Sequence, residues 1–238
     1  MRLDKFLSET GLGTRKEVKF LLKKGGVTVN DVVKKDGKFH VNEEVDTICF
    51  HGEKLHYQKF HYFLLNKPKG VLSATEDKVQ KTVIDLLDEH DFRSDLFPVG
   101  RLDKDTVGLL LITNNGMLAH ELLSPKKHVE KEYFAKIKGI ATLDTAEKFA
   151  KGITLENKEA TLPAQLIIEK VDETTHTSEI RIILHEGKFH QIKRMFEAVG
   201  MKVIFLERVR MGSLLLDEKL ERGEYRRLTG EEVERLAL

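Results

Sequence analysis

The chain has 238 residues, of which 40% are hydrophobic and 33% are charged, and its net charge is +1. These values are typical of a water-soluble globular protein with one large domain or two domains of unequal size. The single cysteine, Cys49, excludes an intrachain disulfide framework and a metal site built from several cysteines. Because Cys49 stands between Ile48 and Phe50, we expect it to be a small buried hydrophobe.

The N-terminal segment carries the excess of positive charge. Residues 1–40 contain ten Lys and Arg against five Asp and Glu, a distribution suited to contact with phosphates. The first residues lack the apolar core of a signal peptide, and no apolar run approaches the length of a membrane span. We therefore expect a cytoplasmic protein that does not bind membranes.

Two short helices are predicted at the start of the chain. Apolar residues at helical spacing indicate the first helix, at Leu3, Phe6 and Leu7. The T-x-x-E pattern of Thr14 and Glu17 is a capping box, and it predicts a second helix over Arg15–Lys24. The Gly-Gly pair that follows is expected to end this helix. Strands are then predicted over residues 27–30 and 45–50.

The second helix has a cationic face opposite its apolar residues. The cations on this face are Arg15, Lys16, Lys19 and Lys23. A solvated helix surface is the ordinary interpretation of such a face. Salt-bridged surface helices, however, usually alternate the two signs of charge, and here only Glu17 is a nearby acidic residue. The face therefore favours contact with a nucleic acid.

Short motifs in this region extend that interpretation. The segments R-L-D-K-F-L, G-x-x-T-R-K-E and G-G-V-T-V-N resemble the S4-type (αL) RNA-binding motif across residues 1–56. In such modules the second helix and the turn after it lie against structured RNA and recognise its shape. The polar segment 55–59 is the expected linker. We therefore predict an S4-type domain over residues 1–58 and a second domain over residues 59–238.

The second domain shows strand and helix patterns in irregular alternation. Strands are predicted over residues 62–65, 109–112, 132–137, 178–185 and 203–210, and helices over residues 82–87, 117–123, 190–199 and 229–236. The absence of a regular β-α-β rhythm predicts an α+β domain built on a mixed, largely antiparallel sheet with flanking helices.

Three segments of the second domain contain candidate reactive residues. G-R-L-D-K-D-T-V-G-L-L-L-I-T-N-N-G, at residues 100–116, places Arg101 and Asp103 just before a predicted buried strand. The other two segments are K-E-Y, which ends at Tyr133, and E-G-K-F-H-Q-I-K-R-M at residues 186–195. Taken singly, Asp103 fits a turn or capping residue, Tyr133 a half-buried strand residue, and the cations solvated helix charges.

Several familiar chemistries lack their sequence motifs. No P-loop or G-x-G-x-x-G pattern follows a predicted strand, the histidines match no common zinc spacing, and no G-x-S-x-G elbow is present. Nucleotide-cofactor binding, a common zinc site and a serine nucleophile of this type therefore have little support in the sequence.

Together with N-K-P-K-G at residues 66–70, the three segments resemble the pseudouridine synthases of the ribosomal small-subunit type. That family also joins an S4-type module to the N-terminus of its catalytic domain, and the resemblance covers essentially the whole chain. Asn115 stands where many members carry aspartate, a change that we expect to leave the chemistry intact. The resemblance implies an enzyme that isomerises a uridine in RNA to pseudouridine without a cofactor, a metal or ATP.

The resemblance also implies roles for individual residues. Asp103 is the implied nucleophile, and its attack on the anomeric carbon of the sugar or on C6 of the base remains open. Lys193 is its implied counter-ion. Tyr133 is expected to stack on the uracil and assist the final proton transfer. Arg101 is expected to hold the RNA or fill the space left by the flipped base. The expected RNA contacts are Arg15, Lys16, Lys19, Lys23, Lys67, Lys69, His190, Gln191 and Arg194.

The expected partner is 16S ribosomal RNA in an assembling small subunit, bound by a monomeric enzyme. Two alternatives remain open. One is an enzyme of the same family that acts on large-subunit ribosomal RNA or on tRNA, and the other is a non-catalytic RNA-binding protein of ribosome assembly. The absence of a basic tail after Leu238 favours the small subunit, whereas the presence of Asp103 and Tyr133 counts against a non-catalytic role.

Overall fold

The computed structural model describes residues 1–236, and the chain divides into two units after Lys59, one residue beyond the predicted boundary. The first unit contains two helices and four strands: α1 (Leu3–Glu9), α2 (Arg15–Lys24), β1 (Val27–Val29), β2 (Val32–Val33), β3 (Ile48–Phe50) and β4 (Glu53–Lys54). Its strands form an antiparallel sheet in the order β2-β1-β3-β4. Apolar side chains of both helices and of the sheet share one core, which includes Leu3, Leu7, Leu22, Val27 and Ile48.

Helix α2 begins and ends at the predicted residues. At its N-terminus, the Thr14 N–H donates to the Glu17 carboxylate (2.7 Å), and the Glu17 N–H donates to the Thr14 hydroxyl (3.4 Å). At its C-terminus, Gly25 has a φ of 83° and its N–H reaches the Leu22 carbonyl. The predicted capping box and glycine stop are therefore confirmed.

The strand predicted over residues 45–50 is shorter in the structure. Residues 42–46 form a turn in which the Asp46 N–H donates to the Asn42 carbonyl (2.8 Å) and the Asn42 N–H donates to the Asp46 carboxylate (2.8 Å). Strand β3 consequently begins at Ile48. Cys49, within this strand, is half-buried rather than fully buried as expected.

The second unit builds its fold on a larger sheet. Its strands are β5 (Tyr62–Lys67), β6 (Phe97–Pro98), β7 (Val107–Thr113), β8 (Lys131–Lys138), β9 (Gln165–Asp172), β10 (Thr177–Leu184), β11 (Lys202–Met211), β12 (Leu214–Leu215) and β13 (Tyr225–Arg227). Its helices are α3 (Gly116–Leu123), α4 (Leu143–Lys151), α5 (Gln191–Ala198) and α6 (Gly230–Leu236).

The order of strands in this sheet is β13-β5-β7-β11-β8-β10-β9, with β6 paired to β7 and β12 paired to β11. Strands β7 and β11 run parallel and join through the residue pairs Val107–Glu207 and Gly108–Arg208. The other strand pairs of this sheet are antiparallel. The predicted α+β architecture, with a mixed and largely antiparallel sheet, is confirmed.

Strand β7 is buried on both of its faces. Leu109 and Leu111 pack with α3 on one face, and Leu110 and Ile112 pack with β5 on the other. Burying a side chain of this size contributes roughly 1.5–3 kcal/mol to stability. The loop that precedes β7, residues 100–106, therefore leads into a firmly held strand.

Some predicted elements of the second unit differ from the structure. Residues 82–87 form only one turn of 3₁₀ helix, Ile84–Leu86, because the chain becomes extended at Leu87 (φ −79°, ψ 143°). The Asp85 carboxylate accepts hydrogen bonds from the N–H and the hydroxyl of Thr82 at the start of this turn (2.7 and 2.9 Å). Helix α4 and strand β9 lie in segments where no element is predicted. Asn115 is the N-cap of α3, since its side chain accepts the Leu118 N–H (3.2 Å). Within residues 1–236, no helix is long and apolar enough to cross a membrane.

Candidate active site

The loop of residues 100–106 is held by hydrogen bonds from the segment that follows β5. The Gly70 N–H donates to the Lys104 carbonyl (2.7 Å). The Ser73 hydroxyl donates to the Leu102 carbonyl (2.9 Å) and accepts the Leu102 N–H (3.2 Å). These bonds thus fix the main chain on both sides of Asp103.

Lys67, at the end of β5, supports the same loop from inside the protein. Its side chain is fully buried, and its Nζ donates to the carbonyls of Asp103 (3.2 Å), Thr106 (3.0 Å) and Pro68 (3.2 Å). Burial lowers the pKa of Lys67 to about 8, and the negative charges of Asp105 and Asp103 oppose this shift. The expectation that Lys67 contacts RNA is therefore wrong, because its ammonium faces main-chain carbonyls rather than solvent.

Gly108, the second residue of β7, permits the close approach of β11. Its φ is +96°, and a Cβ atom at this position would lie 2.4 Å from the Arg208 carbonyl oxygen. The buried Arg208 side chain also bonds across this contact, because its Nε donates to the Leu109 carbonyl (2.8 Å). The last glycine of the G-R-L-D-x-x-T-x-G motif is thus required by the parallel strand pair.

The Asp103 carboxylate meets two groups from the start of α5. Lys193 Nζ lies 2.9 Å from Asp103 Oδ2, and His190 Nε2 lies 3.5 Å from Asp103 Oδ1. Lys193 Nζ also lies 2.6 Å from Asp105 Oδ1. The side chains of Asp103 and Lys193 are 24% and 22% exposed, so the pair is shielded from solvent and still accessible to a substrate.

The charge on Lys193 persists despite its partial burial. Burial lowers the pKa of Lys193, but the hydrogen bonds and charges of Asp103 and Asp105 outweigh burial and raise the pKa above its ordinary value. Burial raises the pKa of Asp105, yet the hydrogen bond and charge of Lys193 hold it below its usual range. One ammonium thus lies between two carboxylates.

A buried carboxylate fixes the turn that precedes α5. Glu186 Oε1 accepts the Leu162 N–H (2.8 Å) and the Gln191 carboxamide N–H (2.7 Å). The Gln191 carboxamide oxygen accepts the Lys188 N–H (2.8 Å). Gln191 is buried, and both ends of its carboxamide bond within the protein. The expectation that Gln191 contacts RNA is therefore corrected, because this side chain shapes the turn.

Arg194, another expected RNA contact, is half-buried and bonds to the same turn. Its guanidinium donates to the Phe189 carbonyl (3.3 Å) and lies 3.6 Å from the Glu159 carboxylate. Lys188 Nζ lies 2.7 Å from Glu159 as well. Glu159 therefore connects the turn before α5 to the segment between α4 and β9.

The cleft beside Asp103 has a volume of about 80 Å³. Tyr133 on β8 and Leu206 on β11 line it from the sheet, while Arg101 and His190 line it as exposed residues. Tyr133 is half-buried and packs against two separate hydrophobic clusters. The cleft thus brings together the four residues predicted to be catalytic: Arg101, Asp103, Tyr133 and Lys193.

The remaining expected RNA contacts are exposed. Those on α2 are Arg15, Lys16, Lys19 and Lys23. In the second unit, Lys69 is exposed and borders a cavity of about 230 Å³ together with Asp105 and Lys193. His190 is exposed at the turn before α5. These side chains are available to phosphates.

Three residues of the site have no counterpart among the predicted ones: Ser73, Asp105 and Glu186. The D-x-D pattern at residues 103–105 is a signal for the second carboxylate on Lys193. The spacing of Glu186 and Gln191 around a glycine is a weaker signal for the bond between them. Ser73 has no such signal, because its contact with Leu102 joins two segments that are distant in sequence.

The cleft at Asp103 is distinguished neither by a large cavity volume nor by a group of metal ligands. A larger groove of about 740 Å³ lies beside α4, and its lining is mostly apolar, with Leu143, Ala146, Leu162 and Leu166. Among residues 1–236, no group of three or more His, Cys, Asp or Glu side chains is arranged to hold a metal ion. The carboxylate–ammonium pair and the aromatic ring make the cleft at Asp103 the candidate active site.

Both units of the chain match known protein families. Residues 61–198 match the family described as RNA pseudouridylate synthase, and residues 1–46 match the S4 domain. An uncharacterized RNA pseudouridine synthase of Bacillus subtilis is 46% identical over 233 residues, which cover 98% of this chain and 97% of that protein. The ribosomal small subunit pseudouridine synthase A of Vibrio cholerae is 47% identical over 234 residues, which cover 98% of each. A crystal structure of a pseudouridylate synthase is 37% identical, covers 99% of each chain and has a TM-score of 0.67.

The fold and the sequence relationships define an RNA-modifying isomerase that carries an S4 domain. The chain belongs to the RNA pseudouridine synthase family. The family resemblance and the enzyme class predicted from the motifs are confirmed.

Proposed function

We propose that this enzyme converts a specific uridine of small-subunit (16S) ribosomal RNA to pseudouridine, with Asp103 as the nucleophile. One observation carries the proposal. The Asp103 carboxylate lies in a cleft lined by Tyr133, and the Lys193 ammonium is 2.9 Å from its Oδ2. A carboxylate beside an ammonium and an aromatic ring is suited to attack on a nucleoside.

The nucleophile must be ionised although the cleft shields it from water. A neighbouring ammonium favours the charged form of a carboxylate. Lys193 supplies this charge, and its own protonated state is favoured by Asp103 and Asp105. The hydrogen bonds of Lys67 and Ser73 to the main chain hold the nucleophile in place while the substrate binds.

The proposed reaction is an isomerisation without net gain or loss of atoms. A carboxylate oxygen of Asp103 bonds to C1′ of the ribose or to C6 of the uracil. The bond between N1 and C1′ breaks, the uracil turns, and a bond forms between C5 and C1′. If Asp103 is attached to C1′, its carboxylate leaves as C5 bonds to that carbon; if it is attached to C6, the carboxylate leaves afterwards. C5 then loses its proton, and N1 gains one. Covalent catalysis of this kind divides one difficult step into easier ones.

Tyr133 and Arg101 act on the flipped nucleotide in this proposal. The Tyr133 ring, which lines the cleft, stacks on the uracil, and its phenol assists removal of the C5 proton. Arg101, exposed beside the cleft, holds the RNA or fills the space that the base leaves. Extruding a nucleotide costs a few kcal/mol. Phosphate contacts of Lys69 and of the α2 cations offset this cost.

The choice of 16S RNA as the substrate rests on relatives. The V. cholerae relative, 47% identical over nearly the whole of both chains, is named for the ribosomal small subunit. The S4 domain of the first unit adds an RNA-binding surface to the catalytic unit. We therefore assign the same class of RNA to this enzyme.

Tritium release tests the role of Asp103 directly. With transcribed 16S RNA that carries tritium at C5 of its uridines, the Asp103→Asn and Asp103→Ala variants should release no tritium while binding the RNA with nearly normal affinity. The matched control is Asp144→Asn on α4, whose side chain is 70% exposed and which should react normally. Full turnover by either Asp103 variant would contradict the assignment.

Mapping of pseudouridines in cells tests the identity of the substrate. Ribosomal RNA and tRNA from cells with and without this enzyme should differ at one position of 16S RNA. A position lost from large-subunit RNA or from tRNA would instead assign the enzyme to that RNA. Unchanged pseudouridines in every RNA would favour the non-catalytic role in ribosome assembly.

A further inference from the structure

Phe189 is an exposed aromatic residue next to the candidate active site. Its side chain is 76% exposed, and its ring stacks on His190 with ring centroids 3.8 Å apart and an interplanar angle of 20°. His190 in turn lines the cleft, with Nε2 at 3.5 Å from the Asp103 carboxylate. The His190 ring thus stacks on Phe189 and also lies near the proposed nucleophile.

The main chain on both sides of Phe189 is anchored. The Phe189 carbonyl accepts a hydrogen bond from the Arg194 guanidinium (3.3 Å). The Lys188 N–H donates to the Gln191 carboxamide, and the Lys188 ammonium lies 2.7 Å from Glu159. His190 has a φ of 48°, which places the turn in the left-handed region just before α5. The exposed ring is therefore presented by a fixed turn.

A single exposed phenylalanine is ordinary on a protein surface. Phe189 differs because it is already stacked on one ring, lies beside the cleft and is fixed by its neighbours. Aromatic rings presented in this way stack on nucleobases of any identity, because every base has a π face.

We infer that Phe189 and His190 form a stacking platform for the nucleobase adjacent to the target uridine. This inference rests on the proposed function. When the uridine leaves its stack, the neighbouring base loses a stacking partner, and the Phe189 ring replaces that partner. The platform favours the flipped state of the RNA and makes binding depend on the presence of a base beside the target.

Kinetics of Phe189 variants test the platform. Phe189→Ala should raise KM for 16S RNA by roughly tenfold to a hundredfold and leave kcat within about twofold, since the uridine is flipped and the neighbouring base is stacked in both the bound and the reacting RNA. Phe189→Trp should retain the wild-type KM. Phe189→Leu, which keeps an apolar side chain without a ring, should behave like Phe189→Ala. The matched control is Met117→Ala, 79% exposed in the first turn of α3.

A modified RNA identifies the stacked base. Two versions of the substrate carry an abasic residue on the 5′ or on the 3′ side of the uridine mapped in cells. One of them should raise the KM of the wild-type enzyme as much as Phe189→Ala does, and Phe189→Ala should add no further increase with that RNA. Such non-additivity is expected when two changes remove one contact.

Two results would overturn the platform. One is an unchanged KM for Phe189→Ala. The other is that, with both modified RNAs, Phe189→Ala raises KM as much as it does with the unmodified RNA. Tritium release by the wild-type enzyme is measured first with the unmodified RNA. Its absence contradicts the proposed function. A normal wild-type rate combined with an unaffected Phe189→Ala contradicts the stacking platform alone.

Discussion

The Lys193 ammonium lies closer to Asp105 than to Asp103, at 2.6 Å from the first carboxylate and 2.9 Å from the second. Asp105 is also the more exposed of the two, with 56% of its side chain open to solvent against 24% for Asp103. The outer carboxylate therefore shares the cation with the inner one. Because Asp105 competes for the Lys193 ammonium, the interaction of Lys193 with the proposed nucleophile is weaker than it would be without Asp105.

Removing Asp105 should change the response of the enzyme to alkaline pH. Asp105 contributes to the raised pKa of Lys193, so Asp105→Asn should lower that pKa. If catalysis requires the charged ammonium, the loss of kcat/KM at high pH should begin at a lower pH in the variant. The pH profile of tritium release measures this shift, with Asp144→Asn as the control. An alkaline limb at the wild-type position would show that Asp105 does not act through Lys193.

Replacing Lys67 should destabilise the loop that carries Asp103. Lys67→Met leaves buried carbonyls without their donor, a loss of about 1–3 kcal/mol for an unsatisfied group. We expect a lower free energy of unfolding in urea and a lower kcat, because the loop loses an anchor. Lys69→Met, two residues away and exposed, should change stability little. Equal stability of the two variants would contradict the anchoring role.

The contribution of Lys67 to stability should also depend on pH. Folding lowers its pKa from 10.5 to about 8, so the unfolded chain binds more protons between these values. The free energy of unfolding contributed by Lys67 must therefore rise as the pH increases across that interval. The difference in stability between the wild type and Lys67→Met should grow from pH 8 to pH 10. A constant difference would mean that burial does not lower this pKa.

Gly108→Ala should separate β7 from β11. The added methyl group would lie 2.4 Å from the Arg208 carbonyl oxygen, on a residue whose φ of +96° already disfavours a side chain. We expect a loss of roughly 1–3 kcal/mol or more in the free energy of unfolding, together with loss of activity. Gly116→Ala, at the first position of α3 and with open space around it, is the control and should be nearly neutral. A stable and active Gly108→Ala variant would contradict the close contact.

The cations of α2 should determine the salt dependence of RNA binding. Replacing all four with glutamine should reduce the slope of log K against log salt by roughly three, if each of them contacts one phosphate. The four residues are Arg15, Lys16, Lys19 and Lys23. A control variant removes the same charge from exposed lysines of the second unit: Lys126, Lys127, Lys151 and Lys170. Equal slopes for both variants would count against α2 as an RNA-binding surface.

Local signals in the sequence predicted local structure well. The capping box of Thr14 and Glu17 and the stop at Gly25 define α2 because all their contacts lie within a few residues. Residues 82–87 show the limit of such signals. Their apolar spacing suits a helix, but the chain becomes extended at Leu87 and leaves a single turn.

The site itself depends on contacts between distant segments. Asp103 and Lys193 are 90 residues apart, and only the family resemblance predicted that they form a pair. Lys67 was misassigned because its position in the N-K-P-K-G loop suggests an exposed cation, whereas the fold turns its side chain inward beneath the loop of Asp103. Burial of this kind is decided by packing, which periodicity and spacing do not record.

The two residue pairs that join β7 to β11 have a consequence for heat inactivation. Asp103 precedes β7, while Lys193 belongs to a helix packed with β11 and its neighbours, so the ion pair spans this junction. A slight parting of the two halves of the sheet separates the reactive groups without melting any helix or strand. Activity should therefore disappear at a lower temperature than the circular dichroism signal. RNA bound in the cleft should reduce the difference between these two temperatures.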